Sequence, residues 1–235
     1  MTELVFARTE KKYRIAGEQI ERFLEKIAPH VEEDIYGCYS LNNLYFDTET
    51  DELIQRSLEK PVYKEKLRLR SYGIPGDEDK VFLELKKKYK GVVYKRRAEM
   101  TMEEARNYLD KGVKPALANH QIMNEIDYFM QLYHPEPKLF LAYDRRAYSG
   151  IEDEQLRITI DWNIRSRREH IDLQYGDEGQ KLLGEDEAIL EIKGNYAMPL
   201  WLVDILNEES IFPVSFSKYG EIYKKEQLDG GRCYV

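Results

Sequence analysis

The segment KEKLRLRSYG, residues 64–73, has a base at every second position: Lys64, Lys66, Arg68 and Arg70. Leu67 and Leu69 separate the last three. On an extended strand successive side chains point to opposite faces, so one face of this segment is a column of positive charge and the other is apolar. From Lys60 to Arg97 there are 13 basic and five acidic residues, whereas the whole chain of 235 residues has a formal net charge of -8. A basic stretch in an acidic chain points to a local anion site and argues against general nucleic-acid affinity. Arginine forks and lysine ammonium groups bind phosphate oxygens. Carboxylates among them would hold a divalent cation through oxygen ligands. Cations and a metal around a phosphate chain are the equipment of phosphoryl transfer.

The same parity recurs along the chain. Glu84 and Lys86 share a face opposite Val81, Leu83 and Leu85. Tyr143 shares one with Arg145. Arg157, Thr159 and Asp161 lie opposite Ile158, Ile160 and Trp162, and Glu191 and Lys193 opposite Leu190 and Ile192. Any one such strand describes an ordinary sheet with one solvated face. A solvated face normally mixes signs, because like charges placed opposite each other destabilise a sheet. Here bases outnumber acids, and the acids recur in Glu-x-Lys pairs. In the run Lys86-Lys87-Lys88, Lys86 belongs to the polar column, and Lys87 and Lys88 read as solvated. The sequence has no GxxxxGK[ST], no GxGxxG opening a helix and no HExxH. His30, His120, His134 and His170 show no metal-ligand spacing, and neither do Cys38 and Cys233. Cysteine usage fits a reducing compartment. No apolar stretch has the length of a signal h-region or a membrane span.

The elements that must position these residues follow from periodicity. Strands are expected in FARTEKKYRIA, CYSLNNLYFDT, VYKEKLRLRSYG, KVFLELKKKY, VVYKRRAEM, KLFLAYDRRAYSG, LRITIDWNIRSR and AILEIKGN. Turn-rich GIPGDEDK and KYKG join the three basic strands as hairpins. Helices are expected in GEQIERFLEKIAPH, DELIQRSLEK, TMEEARNYLDKG, ALANHQIMNEIDYFMQLYHP and PLWLVDILNEE, and the tail PVSFSKYGEIYKKEQL reads as a loop entering a helix. Thr101 and Glu104 form a capping box, and Pro199 sits near the first turn of its helix. The expected architecture is a single α+β domain spanning 1–235. It is a closed antiparallel β-barrel, a tunnel of about eight strands, with helices packed on the outside and the charged faces inside.

This order of motifs resembles the VTC-type polyphosphate polymerase domain, in the CYTH or triphosphate tunnel metalloenzyme superfamily. RTEKKYRI is similar to that family's first-strand Arg-x-Glu-x-Lys-Tyr motif, LYFDT to its second-strand motif and KLRLRSYG to Arg-x-Arg-x-Tyr-Gly. VFLELKKK resembles Glu-x-Lys, AYDRRAY Tyr-x-Arg, LRITID the following Arg strand, LEIK the metal-binding Glu-x-Lys and SFSKY the closing Ser-Lys. The resemblance runs from about Arg8 to Tyr219. It implies that the triphosphate of ATP enters the bore, that the γ-phosphoryl passes to a growing inorganic polyphosphate chain, and that Mn2+ or Mg2+ assists. It further implies catalytic roles for Arg68, Arg70, Lys86, Arg145 and Arg157, and phosphate binding by Lys12, Arg96, Tyr143, Ser217 and Lys218. Glu191 would be the metal ligand, with Glu10 and Glu84 as assistants or as partners of neighbouring bases. Asp161 would serve either way. Arg8 stands where triphosphate hydrolases of the superfamily carry the first Glu of Glu-x-Glu-x-Lys, which favours polymerase over hydrolase. Tripolyphosphate hydrolysis and non-catalytic binding of polyphosphate or nucleotide remain the rival readings. The partners implied are ATP and inorganic polyphosphate, no nucleic acid, and a possible separate membrane partner. The expected location is cytoplasmic.

Overall fold

The computed structural model describes residues 8–90, 92–116, 119–195 and 197–230. In chain order the elements are β1 (Arg8–Ala16), α1 (Glu18–Ile27), β2 (Val31–Glu33), β3 (Tyr39–Asp47), α2 (Glu52–Leu58), β4 (Tyr63–Tyr72), β5 (Lys80–Tyr89) and β6 (Val92–Thr101). There follow α3 (Met102–Lys111), α4 (His120–Tyr133), β7 (Glu136–Gly150), β8 (Arg157–Arg167), β9 (Gln180–Lys181), β10 (Glu187–Asn195), α5 (Leu200–Glu208), β11 (Pro213–Val214) and α6 (Lys218–Gly230). All eight expected strands and all six helices are present. Cys38 is free and exposed; Cys233 lies outside the described residues.

The sheet departs from expectation in two ways. It has 11 strands, in the hydrogen-bonded order β11-β1-β10-β8-β7-β3-β4-β5-β6, with β2 paired to β7 and β9 to β8. The additional strands β2, β9 and β11 are two or three residues long, too short to show a period of their own. The order also begins at β11 and ends at β6, so among the described residues the sheet is not the closed barrel expected from the sequence. Alternation reports which face of a strand is polar. It carries no information on whether the last strand pairs with the first. The β11 edge is only Pro213–Val214, and proline cannot donate to a ladder.

The chain packs as two compact units. The first takes residues up to 40, 143–164 and 181–217, and the second 41–142, 165–180 and those from 218 on. Each has its own core. In the first, Tyr13, Ile15, Ile158, Ile160, Leu190 and Ile192 pack against Phe23 and Ile27 of α1 and Leu202, Ile205 and Leu206 of α5. In the second, Leu67, Leu69, Leu83 and Leu85 pack against Ala105 and Tyr108 of α3 and Met123, Ile126 and Phe129 of α4. Each fully buried leucine or isoleucine contributes about 1.5–3 kcal/mol, and this holds the apolar strand faces down on the helices.

Local signals place the helices. Thr101 and Glu104 form the reciprocal capping box at α3, and Gly112 ends that helix at φ 70, a left-handed conformation that glycine adopts without steric cost. Asn119 caps α4 by accepting from the Ile122 backbone amide. His134, left-handed at φ 43, closes α4 ahead of Pro135. Pro199 is the N-cap of α5 and lies just outside its first turn.

Thr101→Ala removes one half of the capping box. The expected cost is about 1 kcal/mol in chemical denaturation, with strand content unchanged by circular dichroism.

Candidate functional site

The register of β3 to β6 aligns polar side chains in rows across the second unit. Tyr45 lies opposite Arg68, Arg68 opposite Glu84, and Glu84 opposite Arg97. The next row is Asn43, Arg70 and Phe82. Glu84 is the hub. Its Oε2 accepts from Arg68 Nε at 2.7 Å, its Oε1 accepts from Arg97 Nε at 2.8 Å, and Arg70 Nε lies 3.8 Å from Oε2. Burial alone would raise the pKa of this carboxyl, but the charges of Arg68, Arg70 and Arg97 outweigh burial and lower it to about 2. Arg68 also donates to the Tyr45 hydroxyl at 3.1 Å. Arg70 donates to Asn43 Oδ1 at 2.9 Å, and Asn43 in turn donates to the Leu141 carbonyl at 3.1 Å. The three guanidinium groups are thus oriented before any ligand arrives. One carboxylate balances only one of these three charges.

Further along the same face lysines stand opposite lysines. Lys66 faces Lys86, which faces Lys95, and Lys64 faces Lys88. Burial lowers the pKa of Lys64, and the neighbouring charges of Lys88, Lys86 and Lys60 lower it further. Directly opposed like charges destabilise a sheet, and an anion bound at this face would lessen that repulsion. Lys88 is in register with these rows and is exposed to solvent, as the sequence reading had it. Arg96 has the opposite parity: it lies across from Leu85, on the helix-covered face, and its Nε donates to Glu125 of α4 at 2.8 Å. Lys218 is the first residue of α6.

In the first unit Lys12 lies opposite Glu191 and Glu191 opposite Thr159, while Glu10 lies opposite Lys193 and Lys193 opposite Arg157. Glu191 is ion-paired with Lys193. Lys12 Nζ is 3.8 Å from Glu10 Oε1 and donates to the Phe216 carbonyl, next to Ser217, at 3.2 Å. Arg145 makes a bidentate pair with the fully buried Asp161, Nε to Oδ1 at 2.6 Å and an Nη to Oδ2 at 2.8 Å. Burial lowers the pKa of this arginine, but Tyr143, Asp161 and Glu191 raise it by more, so it remains a cation. Its guanidinium carbon lies 5.2 Å from the centroid of the buried Tyr143 ring. Arg157 is half exposed, donates to Ser149 Oγ at 2.7 Å and lies 3.3 Å from Asp34 Oδ2.

The second unit therefore gathers Arg68, Arg70, Glu84 and Lys86, and the first gathers Glu10, Lys12, Tyr143, Arg145, Arg157 and Glu191. Arg97, Asn43 and Tyr45 were not singled out by sequence. Only the register reveals them, because each acts on a residue of a neighbouring strand. Thr159 was visible in the parity pattern but carried no motif. Among the described residues no group of three or more His, Cys, Asp or Glu side chains forms a ready metal cage. Glu191 and Glu10, on adjacent strands of one face, supply hard oxygen donors of the kind Mn2+ and Mg2+ take. Glu84 does not fit that role, because both its oxygens are engaged by guanidinium groups.

The fold has solved counterparts. A candidate adenylate cyclase from Bacillus halodurans is similar at TM-score 0.56 and 18% identity, over 88% of this chain and 92% of that one. A candidate adenylyl cyclase from Hippeastrum, whose dominant activity is as a triphosphatase, is similar at TM-score 0.55 and 15% identity, over 92% of this chain and 95% of that one. The chain thus shares the fold of these two proteins. Within it the chain belongs to the VTC domain family, whose model matches residues 7–226. A relative is the vacuolar transporter chaperone complex subunit 4 of Trypanosoma brucei brucei, 25% identical over 267 residues and 92% of this chain. The chain spans 34% of that relative's length. No helix among the described residues is long and apolar enough to cross a membrane.

Two outcomes follow from the geometry. The folded state favours ionised Glu84, so its stabilisation is complete above the ordinary carboxylate range and is lost as pH falls from about 4.5 towards 2. Glu84→Gln should lower stability at pH 7 by about 2 kcal/mol and flatten this acid limb in denaturation curves. Asp161→Asn leaves Arg145 buried without its counter-charge and should cost about 3 kcal/mol, read by thermal unfolding.

Proposed function

We propose that this chain is a metal-dependent polyphosphate polymerase that transfers the γ-phosphate of ATP to a growing inorganic polyphosphate chain, and that residues 1–235 act as one functional domain. The observation that carries this reading is the group Arg68, Arg70 and Arg97 around the single carboxylate of Glu84, beside rows of unalternated lysine. Such a face suits a ligand with many closely spaced negative charges and no base to be read. Membership of the VTC domain family supports it, as does the complex named for the trypanosome relative.

In this reading the nucleophile is a terminal phosphate oxygen of the chain, already ionised at neutral pH, so no general base is required. Arg68, Arg70 and Lys86 position phosphates and neutralise charge that builds in the transition state. Glu84 keeps the arginines aimed while the substrate is absent. Arg145, held charged by Asp161, binds a phosphate oxygen, with Tyr143 fixing its plane. Lys12, Arg157, Ser217 and Lys218 add phosphate contacts. Arg96, tied to Glu125, is left with a structural part. Glu191 with Glu10 would hold Mn2+ or Mg2+, which when bound would neutralise phosphate charge. The partners are ATP and polyphosphate and no nucleic acid. By analogy with a complex subunit, a separate membrane-bound chain would anchor this one at a cytoplasmic surface.

The test is incubation of the purified chain with ATP and Mn2+ or Mg2+, with products separated by chain length. Chains longer than three phosphates are expected, and Arg70→Ala or Lys86→Ala should reduce their formation by at least about a hundredfold with folding retained. Orthophosphate release without chain growth would replace this reading with hydrolysis. Tight binding without turnover in either metal would leave a binding module.

A further inference from the structure

Thr159 sits in the middle of the polar face of the first unit, two residues from Arg157 and two from Asp161 on β8, directly opposite Glu191 on β10. It is 6% exposed. Its Oγ1 is buried and has no hydrogen-bond partner among the described residues. Its neighbours on this face are all engaged: Arg157 with Ser149 and Asp34, Asp161 with Arg145, Glu191 with Lys193. Leaving a hydroxyl buried and unpaired is unfavourable. A valine has nearly the same shape and would fill the same space on a strand without that cost. Two other buried side-chain oxygens are unpaired, Asn42 Oδ1 and Asp51 Oδ1. Asn42 lies on the opposite parity to Asn43 and Tyr45, and Asp51, at the N-terminus of α2, has an Arg168 nitrogen 3.9 Å from its Oδ1, so neither is comparable to Thr159.

We propose that the Thr159 hydroxyl is a substrate-binding group that donates its hydrogen bond to a phosphate oxygen lying between Arg145 and Glu191. The inference rests on the phosphate-binding reading of this face and adds a neutral donor to it. The cations supply attraction to any polyanion. A hydroxyl rigidly held on a β-branched side chain supplies a direction, and so helps fix where along the face one phosphate group stops. The unpaired state in the ligand-free chain is then the complement of the bound state, in which the side chains covering the hydroxyl move aside and the ligand oxygen supplies the missing acceptor.

The proposal is tested by titrating inorganic tripolyphosphate, in the presence of Mn2+, into the full chain and its Thr159→Val and Thr159→Ser variants by calorimetry, with melting temperatures measured on the same samples. The expected result is about a tenfold loss of affinity in Thr159→Val, a melting temperature no lower than that of the unaltered chain, and recovery of affinity in Thr159→Ser. Thr159→Val binding as tightly as the unaltered chain would overturn the proposal. So would a lowered melting temperature with affinity unchanged, which would assign the hydroxyl to the fold. Failure of the unaltered chain itself to bind tripolyphosphate would instead overturn the phosphate-binding reading and this inference with it.

Discussion

Leu67, Leu69, Leu83 and Leu85 are fully buried against α3 and α4, and that burial dictates where the charges go. Once the leucines face the helices, strand alternation sends Arg68, Arg70, Glu84 and Lys86 to the other side of the sheet. The hydrophobic term of four leucines exceeds what neighbouring cations lose by mutual repulsion in contact with water. The first unit repeats this logic with Ile158, Ile160, Leu190 and Ile192, which leave Arg157, Thr159, Asp161, Glu191 and Lys193 on the polar face. The cationic surfaces are in this sense consequences of the core.

Each unit handles the resulting electrostatic stress differently. In the second, one carboxylate is shared by three guanidinium groups, and lysines stand opposite lysines in the rows beyond it. In the first, charges are matched more nearly one to one, as in Arg145 with Asp161 and Lys193 with Glu191. A shared carboxylate leaves a local excess of positive charge, whereas a matched pair fixes the direction of one side chain. Both serve preorganisation, because orienting a charged group before binding spares that cost during reaction.

The sequence motifs and the structure locate different classes of residue. Motifs such as Arg-x-Arg and Glu-x-Lys lie along one strand, so they are visible without knowing any neighbour. Arg97, Asn43 and Tyr45 depend on pairing between strands, and Arg96, which the resemblance placed among the phosphate binders, instead pairs with Glu125 on the helix-covered face. One residue of register separates Arg96 from Arg97, and that single step moves a side chain from the cationic face to the helix layer.

By itself the sequence determined the alternation of each long strand, the capping box at Thr101 and Glu104, the polar and apolar sides of the sheet and the family resemblance, because all of these are local or lie in linear order. Tertiary structure decided the partners across strands, the open order of 11 strands with three too short to have a pattern, and the gathering of Arg68, Arg70 and Arg97 around Glu84. It also decided that the Thr159 hydroxyl is buried unpaired. These depend on register and packing between segments far apart in the chain, and no local period encodes which distant residue will stand opposite.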